Sequence, residues 1–428
     1  MKKFFSLLLV TLLCCGALFA FVGCTPRATV LKVLSVADYI DEGDPQEGVN
    51  PLIKDFETWY YETTGERIIV KYSTVDTPEM MYHRIKNGKK DFDLICPSDY
   101  MIDKMRHEGL LLKYDFDTYL TEGMENYTEN VSPFITNVMT QNLGADINDY
   151  FVGYMWGTMG ILYNRSRLTA HGVTDVDSFV SSWSALWAQD SAGKDYPQLH
   201  GNIWMKDSIR DSFFCGSVYT NRNAAQPWKY TNDTSGKNVS AVLKSLTAQK
   251  QILKGYEVDE GKTDMMAGRT DMSFQWAGDA YYVIDEAAAV GVELEYSVPE
   301  EGSNMFFDGW AIPKYAENLK AAHMFVNYLC SDEVTIRNMD YIGYTSCVAT
   351  PAVLEYFSEE EEEETDVSYF FPGVEGASRA RLSQILYPKK SLLDKCEVMT
   401  FFSTVKDEGD TSAETRVKDM WDELKSTN

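Results

Sequence analysis

Phe92-Asp93-Leu94-Ile95-Cys96-Pro97-Ser98-Asp99-Tyr100 is the stretch on which the fold turns. Its apolar first half reads as a strand, Pro97 closes it, and Ser98 or Asp99 can cap a helix that carries Met101, Met105 and Leu110. The same beat recurs upstream. Val30 to Val36 alternates as a strand and runs into the polar pair Asp38-Tyr39. Leu52, Phe56 and Trp59/Tyr60 stand at helical spacing between Pro51 and Thr64, with Gly65 as a stop. Ile68 to Tyr72 is a short strand and Glu79 to Lys86 a second helix. Strand alternating with helix builds βαβ units and a mostly parallel sheet. Ligands of such sheets sit beyond the carboxyl ends of the strands. Asp38-Tyr39 and Ser98-Asp99-Tyr100 both fall there and can face one cleft.

Further along, Gly123 to Asp149 reads as a polar connection. Tyr154 to Asn164 is an extended segment with two glycines, suited to crossing between lobes. Ser182 to Trp187 reads as a small amphipathic turn, and Trp204 to Phe213 as a strand end, a cap and the first turn of a helix. In that turn Asp211 either favours the helix N-terminus or faces a ligand. Val239 to Tyr256 reads as a helix. Met272 to Ala280 is a strand opening into a helix at Asp279, and Val292 to Val298 is another strand. Asn304 to Pro313 is aromatic and β-branched with a lone carboxylate, Asp308, in its middle. A buried acid is costly without a partner, so Asp308 either faces solvent at a strand edge or faces a cleft that admits a cation. Ala316 to Asp332 reads as a helix, Ile342-Gly343-Tyr344 as a loop with an exposed aromatic, Glu359 to Glu364 as a solvated acidic run, and Ala413 to Leu424 as a helix.

The start of the chain carries an address. Met1-Lys2-Lys3 and the apolar run Phe4 to Val22 form a secretory signal rather than a membrane span. Phe21-Val22-Gly23-Cys24 resembles a lipobox in which Cys24 becomes the lipidated first residue; the alternative is plain secretion after Ala20. One lipidated cysteine tethers a protein to a membrane surface and crosses nothing. Loss of Lys2 and Lys3 leaves 37 basic against 65 acidic side chains, a net charge of −28. That excludes a nucleic-acid partner, which needs Lys and Arg opposite phosphates, and suits cationic ligands. Roughly 400 mature residues exceed what one core normally serves, so two lobes are expected. The cysteines form no C-x-x-C pair and no metal or cofactor motif. A Cys330–Cys347 disulfide is open.

Asp38, Asp99, Asp207, Asp211, Asp279 and Asp308 thus stand at strand or helix ends, beside Tyr39, Tyr100, Trp276, Phe306 and Tyr344. Acids interleaved with aromatic faces suit an extended organic cation. Carboxylates take ammonium groups as charge-assisted hydrogen bonds, and rings over the cation add roughly 0.5–2 kcal/mol each.

At this point the chain resembles the spermidine/putrescine-binding proteins of bacterial ABC importers, within the class of two-lobed solute-binding proteins. The likeness runs from about Leu31 to the C-terminus. It is carried by Asp93 to Tyr100 with Asp103-Lys104-Met105, Tyr154-Met155-Trp156-Gly157-Thr158, Asp207-Ser208-Ile209-Arg210-Asp211, Trp276-Ala277-Gly278-Asp279-Ala280, Phe306-Phe307-Asp308 and Ile342-Gly343-Tyr344. The resemblance implies an α/β, periplasmic-binding-protein-like fold of two lobes, each a mostly parallel sheet flanked by helices, with a cleft between them. Residues 1–23 would be the leader and 24–29 the lipidated tether. Residues 30–155 with 306–345 would form one lobe, and 156–305 with 346–428 the other. Crossings are implied near Met155 to Met159, Ser297 to Met305 and Tyr344 to Ala349.

The implied site is Asp38, Tyr39, Ser98, Asp99, Tyr100, Asp211, Trp276, Asp279, Phe306, Asp308 and Tyr344. In it Trp276 is the stacking ring, Asp308 the principal carboxylate and Asp211 a shorter stand-in for a family Glu. Val36 and Met399 replace a Trp and a Gln that the family often has. The implied function is capture of putrescine or spermidine, without cofactor or catalysis, and delivery to a membrane permease from a lipoprotein in the cell envelope, facing the periplasm or the outside. Affinity would fall below roughly pH 4 as carboxylates protonate. The rivals are a same-fold binder of another organic cation, of sugar or of ferric ion (with Tyr281-Tyr282 as the tyrosinates), and a lipid-anchored glycosidase using paired carboxylates.

Overall fold

A computed structural model describes residues 28–427 apart from 45, 89 and 120–123; the leader, the lipobox and Cys24 lie outside the described residues. The first lobe is built on the strand Thr29–Val36, which has parallel neighbours on both sides, Ile68–Val75 and Leu94–Ile95. Helix Leu52–Thr64 buries Leu52, Phe56 and Tyr60 and stops at Gly65, whose φ of 73° is open to glycine at no steric cost. Helix Pro78–Asn87 starts where the Thr77 hydroxyl accepts the Met80 N–H at 3.2 Å. Helix Asp99–His107 follows the short third strand.

The second lobe grows from the opposite end of one long strand, Val152–Tyr163, whose twelve residues are all buried. Its first part pairs antiparallel with Ser303–Trp310, from Trp310 opposite Val152 to Met305 opposite Thr158, with a bulge between Asp308 and Gly309. From Met159 onward its other edge pairs antiparallel with Met272–Trp276, and Ile161 to Tyr163 also pair with Glu295–Ser297. Beyond Met272–Trp276 come Ile203–Lys206 and Gly255–Glu257, joined in parallel. The second sheet is therefore parallel in its outer strands and antiparallel along the crossing strand, because a chain shared by two lobes meets returning segments head-on.

Several elements differ from their sequence reading, each for a local reason. The polar stretch 123–149 contains helices Glu125–Asn130 and Pro133–Leu143, the latter burying Ile135, Met139 and Leu143 at helical spacing. The helix read as Val239–Tyr256 runs Gly236–Lys250, and its expected end is the strand Gly255–Glu257. Only Leu94–Ile95 of Phe92–Cys96 forms a ladder. The helix read over Ala316–Asp332 spans Leu319–Leu329, followed by a second one, Asp332–Ile342. The turn Trp183–Trp187 is wholly buried rather than amphipathic, since its two indole N–H groups find the carbonyls of Gly302 at 2.8 Å and Ser245 at 3.1 Å. Cys330 and Cys347 are both free, buried thiols.

The loop after the first strand, which carries Asp38 and Tyr39, is fastened from behind. Asp41 is buried; its N–H donates to Asn338 Oδ1 at 2.9 Å, and its carboxylate accepts the Gly43 N–H at 2.6 Å and pairs with Arg337. Arg337 also reaches Asp55 at 2.5 Å and the Asn50 carbonyl. Removing Arg337 leaves Asp41 buried without its cation. Arg337→Ala is expected to cost about 2 kcal/mol, below the full price of a buried pair because the arginine is partly solvated. The check is a lower urea midpoint at unchanged m; a loss under about 0.5 kcal/mol, the level of a neutral surface change, contradicts the fastening.

Candidate functional site

The carboxyl ends of strands from the two sheets, among them Thr29–Val36, Leu94–Ile95, Ile203–Lys206 and Met272–Trp276, open into one cleft of about 1120 Å³. Asp38, Tyr39, Ser98, Asp99, Tyr100, Asp211, Trp276, Asp279, Phe306, Asp308 and Tyr344 all line it, as do Val36 and Met399. Their states differ widely.

Asp308 is set by the bulged strand Ser303–Trp310, where it forms a bridge with Ser98. The Tyr39 hydroxyl donates to its Oδ2 at 2.5 Å. Its Oδ1 is closed off from solvent and has no hydrogen-bond partner. Burial pushes this carboxyl above its usual range, against the pull of the Ser98 and Tyr39 hydroxyls. Tyr39 is itself held edge-on between Tyr154 and Tyr344, with ring centroids 5.4 and 5.3 Å away. The Tyr154 hydroxyl donates to the Tyr39 carbonyl at 2.7 Å. A buried carboxylate oxygen without a partner is a deficit that the packing around it leaves unmet.

Asp99 has another task. Its Oδ1 accepts the Tyr100 N–H at 2.6 Å and its Oδ2 the Phe307 N–H at 3.0 Å, so it braces the Asp308 strand. Asp38 is exposed at the rim in the left-handed region, φ 51°, where its charge bears on Lys262. Tyr100 donates to Glu79 at 2.9 Å.

On the facing wall, Ser208 caps helix Ile209–Thr220 by accepting the Asp211 N–H at 3.2 Å. Asp211 lies in that first turn and also lines the cleft. Burial pushes its carboxyl up to about 6, opposed by Ser208 and Arg210. Arg210 is buried and spends its donors on the carbonyls of Thr400 and Thr231 and on Asn232.

Tyr344, read as exposed, is buried, and its hydroxyl donates to Asp279 Oδ1 at 2.9 Å. Two glycines permit this. Gly343 turns the chain back at φ 74°, and a Cβ on Gly278 would lie 2.2 Å from the Tyr344 ring. Asp279 is also ion-paired with Lys206 and Lys262, at 3.8 and 3.6 Å. These lysines, with Glu79, Glu257 and Arg210, escaped the sequence reading. The available signal was Lys206 itself, a cation ending a strand at the same kind of position as the recognised acids.

Neither Tyr281 nor Tyr282, on helix Ala277–Ala289, lines the cleft. Among the described residues no helix is long and apolar enough to cross a membrane.

The family model for a bacterial extracellular solute-binding protein matches residues 52–363. The chain is 26% identical over 287 residues to the spermidine/putrescine-binding periplasmic protein of Escherichia coli strain K12, covering 67% of this chain and 71% of that one. It is 25% identical over 301 residues to the putrescine-binding periplasmic protein SpuD of Pseudomonas aeruginosa strain UCBPP-PA14, covering 69% and 76%. Among solved structures, the spermidine/putrescine ABC transporter substrate-binding protein PotD of Streptococcus pneumoniae superposes with a TM-score of 0.64 at 25% identity, over 94% of this chain and 99% of that one.

The elevated Asp211 carboxyl moves the expected acid limit of the site upward from the pH 4 of free carboxylates. A cation binds the ionised form, so lowering the pH through the folded-state value of about 6 removes charge from the cleft. Affinity for a cationic ligand is expected to be level above about pH 7 and to fall as the pH drops through about 6. Calorimetric dissociation constants between pH 5 and 8 test this, and a profile that stays level to pH 5 contradicts a part for Asp211.

Proposed function

This chain belongs to the bacterial extracellular solute-binding protein family, and on that premise we propose that it captures a polyamine in the cleft and hands it to the permease of an ABC importer. The observation that carries the reading is the buried Oδ1 of Asp308, which has no partner within the protein. Three cations of the cleft wall are already bonded: Lys206 to the Val258 carbonyl, Arg210 to the Thr400 and Thr231 carbonyls and Asn232, and Lys262 to Asp259. An anionic ligand would have to displace these bonds, whereas an ammonium group completes Asp308. Tyr39, Phe306 and Tyr344 line the same cleft, Tyr344 touching both others, and aromatic rings beside the site favour alkylammonium chains. The names of the relatives, spermidine/putrescine-binding and putrescine-binding, agree with this chemistry.

In this reading Asp38 and Asp308 act from one lobe, and Asp211 and Trp276 from the other. Closure of the lobes buries the cation and forms the surface that the permease meets. The protein binds and transports rather than catalyses. Lipidation at Cys24 keeps it at the membrane face of the cell envelope, where the released amine reaches the permease directly.

Calorimetric titration of the full chain in mild detergent, stripped of ligand by unfolding and refolding, tests the proposal. Putrescine or spermidine is expected to bind tightly and neutral sugars not at all. Asp308→Ala is expected to weaken the amine about a hundredfold, roughly the 3 kcal/mol of a charge-assisted hydrogen bond. Heat with sugar alone, or amine binding that ignores the substitution, sinks the reading.

A further inference from the structure

One face of Trp276 is already taken. Lys206, the last residue of the strand Ile203–Lys206, is fully buried and holds its ammonium 4.1 Å from the indole centroid. Its Nζ donates to the Val258 carbonyl at 2.7 Å and stands 3.6 Å from Glu257 and 3.8 Å from Asp279. An aromatic face, a carbonyl and two carboxylates around one nitrogen are the surroundings in which a ligand's primary ammonium is held. Here the protein supplies the ammonium itself.

We propose that Lys206 is a specificity-determining residue: it fills one ammonium subsite of the cleft from within, so that the ligand is a diamine gripped by Asp308 and Asp211 rather than a triamine. This rests on the polyamine reading and deepens it.

The carboxylates of the cleft divide into spent and unspent. Asp99 is bonded to two backbone amides. Asp279 is met by Lys206, Lys262 and the Tyr344 hydroxyl. Glu257 is met by Lys206, by the Gly261 N–H at 2.9 Å and by Gln275 at 3.3 Å. Glu79 accepts from Tyr100. Asp308 retains an oxygen without a partner, and Asp211 forms no ion pair among the described residues. Asp38, Asp76 and Asp422 also line the cleft without an ion pair among the described residues but are exposed to water, and Glu79 is held by Tyr100, which leaves Asp308 and Asp211, one on each wall, to match two ammonium groups.

Lys206 is also placed so that it stays. Its backbone pairs with Glu257, the Asp207 N–H donates to the Glu257 carbonyl at 2.8 Å, and the Ser212 hydroxyl donates to the Lys206 carbonyl at 2.8 Å. A third ammonium seeking the occupied face of Trp276 would meet a fixed like charge in a poorly hydrated wall, where repulsion is weakly screened.

The test is calorimetric titration of the full chain with putrescine and spermidine, for wild type, Lys206→Ala and Lys206→Arg. Wild type is expected to bind putrescine more tightly than spermidine. Lys206→Ala vacates the subsite and is expected to shift the affinity ratio at least tenfold toward spermidine, whereas Lys206→Arg keeps the charge and the wild-type ratio. Lys262→Met, on the more exposed lysine of the same cluster, is expected to move the ratio in the same direction by a smaller factor, and it serves if Lys206→Ala does not fold. Tighter binding of spermidine by wild type, or a ratio unchanged in both the Lys206→Ala and Lys262→Met variants, overturns the role of Lys206 while leaving polyamine capture intact. Silence of wild type toward both amines overturns the two readings together.

Discussion

A single strand has to satisfy two lobes at once. On one edge of Val152–Tyr163 the pairing with Ser303–Trp310 ends at Thr158, on the other the pairing with Met272–Trp276 begins at Met159, and all twelve of its residues are buried, where an unmade hydrogen bond is costly. Side chains serve at that junction. The Ser303 hydroxyl donates to the Met159 carbonyl at 2.6 Å, and the Tyr296 hydroxyl donates to the Thr158 carbonyl at 3.2 Å. Glycines make the approach feasible: a Cβ on Gly160 would lie 2.5 Å from the Ser297 carbonyl oxygen, and one on Gly157 would crowd the Phe306 ring at 3.0 Å. A hinge motion between lobes would concentrate where the ladder passes from one edge to the other, because on either side the strand is locked into a continuous sheet.

The same strand fixes the chemistry. Phe306 and Asp308 pair with Gly157 and Met155, and Thr345 pairs with Trp156 just after Tyr344. Carboxylate and rings are therefore presented by neighbouring rungs of one sheet rather than by independent loops. Carboxylates elsewhere show what such a chain does with buried acid when it is not a site. Asp93 accepts the backbone N–H groups of Lys32, Glu317 and Asn318, at 3.0, 2.8 and 3.1 Å, and ties three segments together. Asp41 does similar work with Gly43 and Arg337. Against these, the bare oxygen of Asp308 stands out as a deficit that packing alone does not explain.

Much of this was legible in the residues. The alternation around Phe92 to Tyr100 gives βαβ units because strand and helix periods differ visibly in a short window. Strand ends locate acids and aromatics because ligand sites in α/β sheets collect there. Helix Pro133–Leu143 was missed because its apolar positions are diluted by Thr, Asn and Gln, and the end of Gly236–Lys250 because Tyr256 continues the apolar pattern into a strand. Tyr344 was misplaced for a deeper reason. Its burial depends on the missing Cβ of Gly278, 66 positions away in the chain, and sequence periodicity carries no information about such an encounter. Lys206 was missed on the same ground, since its partners Trp276, Glu257 and Asp279 come from other segments.

What the cleft holds open is thus decided by what the protein has closed. Burying a carboxylate raises its pKa and weakens the empty state, unless a cation shares the burial. The chain answers this at Asp279 and Glu257 with its own lysine, and those groups then act as fixed structure. It leaves the question open at Asp308 and Asp211, both raised by burial. On the polyamine reading it is there that an incoming ammonium would relieve a cost already carried by the folded protein, so binding energy would be greatest where internal pairing is least complete. The aromatic rings add attraction that discriminates little among alkylammonium groups. On the polyamine reading, discrimination by number of charges would fall instead to the acids that remain unpaired, and the lysine on Trp276 removes Glu257 and Asp279 from among them.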